Sequence, residues 1–305
     1  MSRSAPFLVV VAASLWGIDG IVLRPALYSL PVPLVVLIES SIVALFLSPI
    51  FIKKFDKLKL LERKDWLAFF GVALFGGAVG TMAITKALFY VNFVNLSVVI
   101  LIQKLQPVFA LIFAGIILKE RLPKIFFLWA SLAVLGAYIM TFGFSAPKFY
   151  TGDKTLIAAL LSLIAAISFS SSTVFSKRAL RNVGFEMGTY LRFLLSAFIM
   201  LVLAISTGSL GAITEVSSTQ WLVFFLIAFT TGGAAIFLYY YGLKKITASV
   251  ATICELAFPM TAVVLEYFLH GNILSAVQWL GVALLLFSIV KVTGISFSDL
   301  SRQKK

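Results

Sequence analysis

Ten runs of about twenty mostly apolar residues, joined by short polar connectors, leave this chain very few ways to fold. They fall near residues 6 to 27, 31 to 52, 66 to 90, 95 to 118, 124 to 145, 155 to 176, 187 to 207, 220 to 243, 248 to 269 and 273 to 294. A helix rising 1.5 Å per residue crosses roughly 30 Å of hydrocarbon in about 20 residues, so each run has the length of one membrane span. With 61% hydrophobic and 12% charged residues and a mean hydropathy of +1.07, the chain lacks the polar surface of a water-soluble fold. The sequence therefore predicts an all-α integral membrane protein with ten transmembrane helices. The first run has the outline of a secretory signal, with Arg3 ahead of an apolar stretch and small residues at Ala12, Ala13 and Ser14. Against that reading, the run continues well past those residues and the same pattern returns in mid-chain.

The formal charge of +13 is distributed in a way that points to lipid rather than nucleic acid. Nineteen of the 25 lysines and arginines fall on the termini and on alternate connectors, while the other side receives only Arg24, Lys86, Lys148 and Lys154. Cytoplasmic connectors collect the cations, so both termini are expected in the cytoplasm of an inner-membrane, multi-pass protein with an even number of spans. The connector from Lys53 to Asp65 reads as a loop or a short amphipathic helix on anionic lipid. Partners expected are the bilayer and a small-molecule substrate, with no nucleic acid.

Enzymatic chemistry finds little support. One cysteine, Cys254, and one histidine, His270, leave no disulfide, no zinc cluster and no nucleophilic dyad. The chain has no HExxH or GxSxG motif, and the glycine spacing around Thr151 is wrong for a phosphate-binding loop. Asp19 with Glu39 is the one carboxylate pair that a membrane enzyme could use. No catalytic residue, cofactor or metal is expected.

The two halves echo each other. Ala12, Ala13, Arg24, Ala26 and Leu27 match Ala165, Ala166, Lys177, Ala179 and Leu180, and Ser97, Val98 and Pro107 match Ser249, Val250 and Pro259. Trp129 and Ala133 match Trp279 and Ala283. The expected division is a first five-helix repeat over residues 1–147 and a second over 148–305. Five is odd, so the second copy must enter the membrane from the opposite side, as inverted repeats that alternate access to a shared site do.

Polar side chains inside the apolar runs mark where such a site would lie, because hydrocarbon cannot solvate them. The fourth run carries Gln103, Lys104, Gln106 and Pro107 at its middle, the ninth carries Glu255, Pro259 and Glu266 within one arc, and the first carries Trp16 and Asp19 one turn apart. Depth along the helices puts Glu39 level with Lys104 in the outer half and Arg192 level with Glu255 in the inner half. Each pair is a possible ion pair with two readings: a latch between helices, or a solute contact. Ser172 aligns with Asp19, while the hydroxyls around it suit close helix packing. Tyr239, Tyr240 and Tyr241 read as an interfacial aromatic belt, with an aromatic cage as the alternative.

Ten spans in two repeats, SLWG in the first span, prolines centring the fourth and ninth, and LKER closing the fourth resemble the EamA family of the drug/metabolite transporter superfamily, and in particular its YddG-type bacterial amino-acid exporters. The resemblance implies a basket of helices around a central cavity, with the fifth and tenth spans outside it. The chain departs from the family in having Glu39 where the second span often has Arg, matching Arg192 in the seventh. Asn272 stands opposite Glu120. The resulting expectation is a secondary transporter exporting amino acids or similar zwitterions by alternating access. The substrate-binding set expected is Lys104, Gln103, Glu39, Asp19, Trp16, Gln106, Glu255, Arg192 and Ser172. Exchange of phosphorylated or nucleotide-linked sugars, or a scaffold or lipid-handling role, are the alternatives; proton coupling through Glu39 or Glu255 is a further expectation.

Overall fold

The computed structural model describes residues 4–90, 99, 102–146, 154–270 and 274–302. Its apolar helices follow the runs of the sequence: α1 (Ala5–Leu27), α2 (Val32–Lys53), α3 (Arg63–Ala87), α4 (Gln106–Ile117), α5 (Lys124–Phe142), α6 (Leu156–Ala179), α7 (Phe185–Ser206), α8 (Ser218–Lys245), α9 (Ala248–Leu269) and α10 (Ala276–Gly294). Among the described residues, nine of these are long and apolar enough to cross a membrane, and α4 is the shorter tenth. Much of the run expected before α4 lies outside the described residues.

Helix contacts expose the symmetry. Helix α1 packs on α8 and α9, and α6 makes the matching contacts with α3 and α4, while α2 meets α7, α4 meets α9 and α5 meets α10. Exchanging each helix for the one five places on leaves this set of contacts unchanged, which is what a two-fold axis between two five-helix repeats requires. Ten membrane helices thus form two inverted repeats.

In lipid, helices gain little from hiding apolar surface and associate instead through close packing, so small residues sit at the crossings. Where α5 crosses α10, a Cβ on Gly281 would lie 2.3 Å from the Met140 nitrogen, and one on Gly136 would lie 2.8 Å from the Leu285 nitrogen. Where α1 crosses α9, a Cβ on Gly17 would lie 2.8 Å from the Phe258 carbonyl.

The end of the bundle with most basic connectors is densely packed. Leu180, Met187, Leu191, Tyr240 and Leu243 are all buried in one cluster there. Asp65, fully buried, accepts from Arg178 Nη1 and Asn182 Nδ2 at 2.6 Å each, and from the Glu62 amide at 3.1 Å. Lys177 Nζ donates to the Leu243 carbonyl at 2.8 Å, and Lys244 Nζ donates to the Val183 carbonyl. The connector expected as a loop or lipid-bound helix is a 3₁₀ turn over Phe55–Leu60, after which α3 begins.

Candidate functional site

Five helices lose their regular α geometry inside the bundle, and four of the breaks come in related pairs. Helix α4 starts after a turn at Lys104 and Leu105, and α9 turns at Glu255 and Leu256, each a few residues ahead of a proline. Proline supplies no N–H to the carbonyl four residues earlier, so the chain tightens there. The Val108 amide bonds to Leu105 and the Phe258 amide to Glu255, both three residues back. Helix α3 widens to a π-helix over Val72–Val79, and α8 breaks between Phe229 and Gly233. Backbone of this kind is tolerated at membrane depth only where protein or water meets its polar groups.

Helix α1 is α-helical to Ile18, then makes a π turn over Asp19–Leu23 and a 3₁₀ turn over Arg24–Leu27. The π turn matters because it stacks residues five apart, where an α-helix would splay Asp19 and Arg24 to different faces. Arg24 Nε and Nη2 lie 2.7 and 2.6 Å from Asp19 Oδ2, and Nη1 reaches Glu39 Oε1 of α2 at 3.3 Å. Thr231, at the break in α8, donates to Asp19 Oδ1 at 3.1 Å.

These breaks surround a cavity of about 540 Å³ whose walls include Trp16, Asp19, Arg24, Lys104, Arg192 and Glu255. Aromatic side chains add Phe169, Phe193, Tyr239 and Phe258 to the lining. The Trp16 and Tyr239 ring centroids are 5.2 Å apart. Glu255 is held by neutral donors, with Tyr239 Oη at 2.6 Å from one carboxylate oxygen, Thr173 Oγ1 at 3.3 Å, and Gln106 Nε2 at 3.4 Å from the other oxygen. Arg192 donates to Tyr240 Oη at 3.4 Å, its guanidinium 5.7 Å from the centre of that ring. Tyr240 Oη and Ser176 Oγ lie 2.9 Å apart.

Eight of the nine side chains expected at the site line this one cavity: Trp16, Asp19, Gln103, Lys104, Gln106, Ser172, Arg192 and Glu255. Glu39 stands behind Arg24. The expected pairings are corrected. Glu39 is paired with Arg24 rather than Lys104, and Lys104, only 9% exposed, has no ion pair or hydrogen bond from its ammonium among the described residues. Arg192 turns to Tyr240 and Glu255 to Tyr239, so the inner ion pair is replaced by two phenol contacts. Gln103 has a structural task, donating to the Ser162 carbonyl at 2.8 Å. Ser172 packs so closely on Gly76 that a Cβ there would lie 2.3 Å from its Oγ.

Sequence reasoning missed Arg24, counted with the outer connectors, and Tyr239 and Tyr240, assigned to an interfacial belt but 3% and 0% exposed. The spacing of five between Asp19 and Arg24, followed by Pro25, was the available signal for the first. Among the described residues no three His, Cys, Asp or Glu side chains converge as metal ligands would.

Oppositely inserted five-helix repeats enclosing a polar and aromatic hollow define a multi-pass membrane transporter. The model of the EamA-like transporter family matches residues 3–142 and again 156–294, and the chain belongs to that family. It is 48% identical over 290 residues to the riboflavin transporter ImpX of Fusobacterium nucleatum, covering 95% of this chain and 97% of that one. An uncharacterized transporter of Synechocystis, sll1164, is 26% identical over 252 residues, covering 80% of this chain and 68% of that one. A solved crystal structure superposes with a TM-score of 0.74 at 18% identity over 97% of this chain and 98% of the other, a likeness of fold alone.

Proposed function

We propose that the chain is a carrier of riboflavin or a closely similar uncharged flavin, working by alternating access between the two repeats. The observation that carries this reading is a cavity with aromatic side chains in its lining and balanced charge. Asp19, Glu39 and Glu255 are matched in number by Arg24, Lys104 and Arg192. Five aromatic side chains in the lining suit a fused heterocycle, and about 540 Å³ lies within the roughly 300 to 1,000 Å³ of small-molecule sites. The likeness to a protein named as a riboflavin transporter supports the same substrate class.

Export of amino acids fits less well. A zwitterion's ammonium needs a free carboxylate, and Asp19 and Glu39 are already engaged by Arg24. Phosphorylated or nucleotide-linked sugars fare worse, since a balanced site offers no surplus of cations to a phosphate. In this reading both termini are cytoplasmic, and residues 1–147 and 148–305 move against each other.

The test is titration of riboflavin onto the purified protein in lipid nanodiscs, followed by flavin fluorescence, together with uptake into proteoliposomes. Saturable quenching and uptake above empty vesicles are expected, with no competition from excess amino acids. Uptake equal to empty vesicles with correctly folded protein overturns the proposal.

A further inference from the structure

The six charged groups at the cavity divide into two kinds. Arg24 neutralises Asp19 and Glu39 by direct contact, at 2.6 and 3.3 Å. Lys104 and Glu255 are different: both line the cavity, both lack an ion pair among the described residues, and they belong to the matching turns ahead of Pro107 and Pro259 in the two repeats. Lys104 is nine-tenths buried with a bare ammonium. Glu255 is hydrogen-bonded by the neutral donors Tyr239, Thr173 and Gln106, and Arg192 attracts it from beyond ion-pair distance. Arg192, the remaining cation, is shared with the Tyr240 hydroxyl and ring.

Two opposite charges that do not touch sum to nearly nothing for a neutral ligand spanning them, while the nearer one dominates for a charged ligand group beside it. We propose that Lys104 and Glu255 together form a charge filter that admits neutral flavin and rejects its phosphate ester, with Glu255 as the group that repels the ester and Lys104 as the donor to a carbonyl edge of the heterocycle. The inference rests on the flavin reading above. It adds which residues separate riboflavin from riboflavin 5′-phosphate, two molecules that share every aromatic atom and differ by a dianionic group. A buried carboxylate at about 10 Å from a phosphate, in a medium of effective dielectric constant near 20, changes affinity by about tenfold per unit charge.

The experiment measures dissociation constants of both flavins with the full chain in nanodiscs. The readout is the ratio of the 5′-phosphate constant to the riboflavin constant, which a general loss of folding does not move. Glu255→Gln, which keeps an acceptor for Tyr239, is expected to lower the ratio at least tenfold. Lys104→Met is expected to raise it by a smaller factor, and the double variant to stay below the wild-type value because Glu255, the charge nearer the phosphate, outweighs Lys104. A ratio unchanged within about twofold in both single variants, with riboflavin binding intact in the wild type, overturns the filter alone. Absence of riboflavin binding in the wild type overturns the flavin reading and the filter with it.

Discussion

The carboxylate of Glu120, in the connector after α4, accepts the hydroxyl of Ser249 at 2.5 Å and so ties the first repeat to the first turn of α9 in the second. The same group accepts the Ala248 and Ser249 amides at 2.7 and 3.0 Å, meeting the free N–H groups of a helix start with a full negative charge. Glu120→Ala should therefore destabilise the protein by about 1 to 2 kcal/mol. Thermal unfolding in detergent should show a midpoint lowered by a few degrees, with Ser249→Ala lower by less. An unshifted midpoint for Glu120→Ala would show that water replaces the cap at no cost.

Asp65 and Arg178 make a second cross-repeat contact, at 2.6 Å with the carboxylate fully buried. Removing one partner of a buried pair leaves a stranded charge and costs about 3 to 5 kcal/mol, whereas an exposed pair is worth under about 1 kcal/mol. Arg178→Ala should sharply reduce the yield of folded protein. Lys59→Ala, which breaks the exposed pair with Asp56 at 3.2 Å, should leave it unchanged. Equal yields for the two would refute this.

Trp16 faces the cavity beside Tyr239. Stacking of a heterocycle on an aromatic ring is worth about 1 to 3 kcal/mol by alanine substitution, so under the proposed flavin reading Trp16→Ala should weaken riboflavin binding by about tenfold or more, and Trp16→Phe by much less. Fluorescence titration in nanodiscs distinguishes the two. Equal affinities for Trp16→Ala and wild type would remove this ring from the substrate wall.

Two glycines should behave oppositely. Gly281→Val drives a side chain into the backbone at Met140, where no rotamer change gives relief, and should prevent the close approach of α5 and α10. Nothing lies within 4 Å of the Cβ position on Gly115, and alanine there should be neutral or stabilising by up to about 1 kcal/mol through helix propensity. Unfolding midpoints measured side by side check both.

The helices and the polar arcs could be read from the chain because each depends on nearest neighbours. Twenty apolar residues make a span wherever they end up, and Gln103, Lys104 and Gln106 are costly in hydrocarbon whatever lies opposite. Partner choice could not be read this way. Equal depth allowed Glu39 to meet Lys104, but the π turn after Ile18 swings Arg24 inward to take both Asp19 and Glu39. Tyr239 looked interfacial because hydropathy counts an aromatic near a connector without knowing what covers it; packing buries it against Glu255.

The sequence by itself determined that the protein is a membrane bundle of two related halves and which residues hydrocarbon would refuse to hold. It did so because spans and burial costs are set by local composition. Only the tertiary structure decided which acid neutralises which base, which charges lack an ion pair at the cavity among the described residues, and which aromatic side chains reach the hollow. Those outcomes depend on distances of a few ångströms between helices far apart in the chain, set by where the backbone departs from α geometry and where a glycine lets two helices touch.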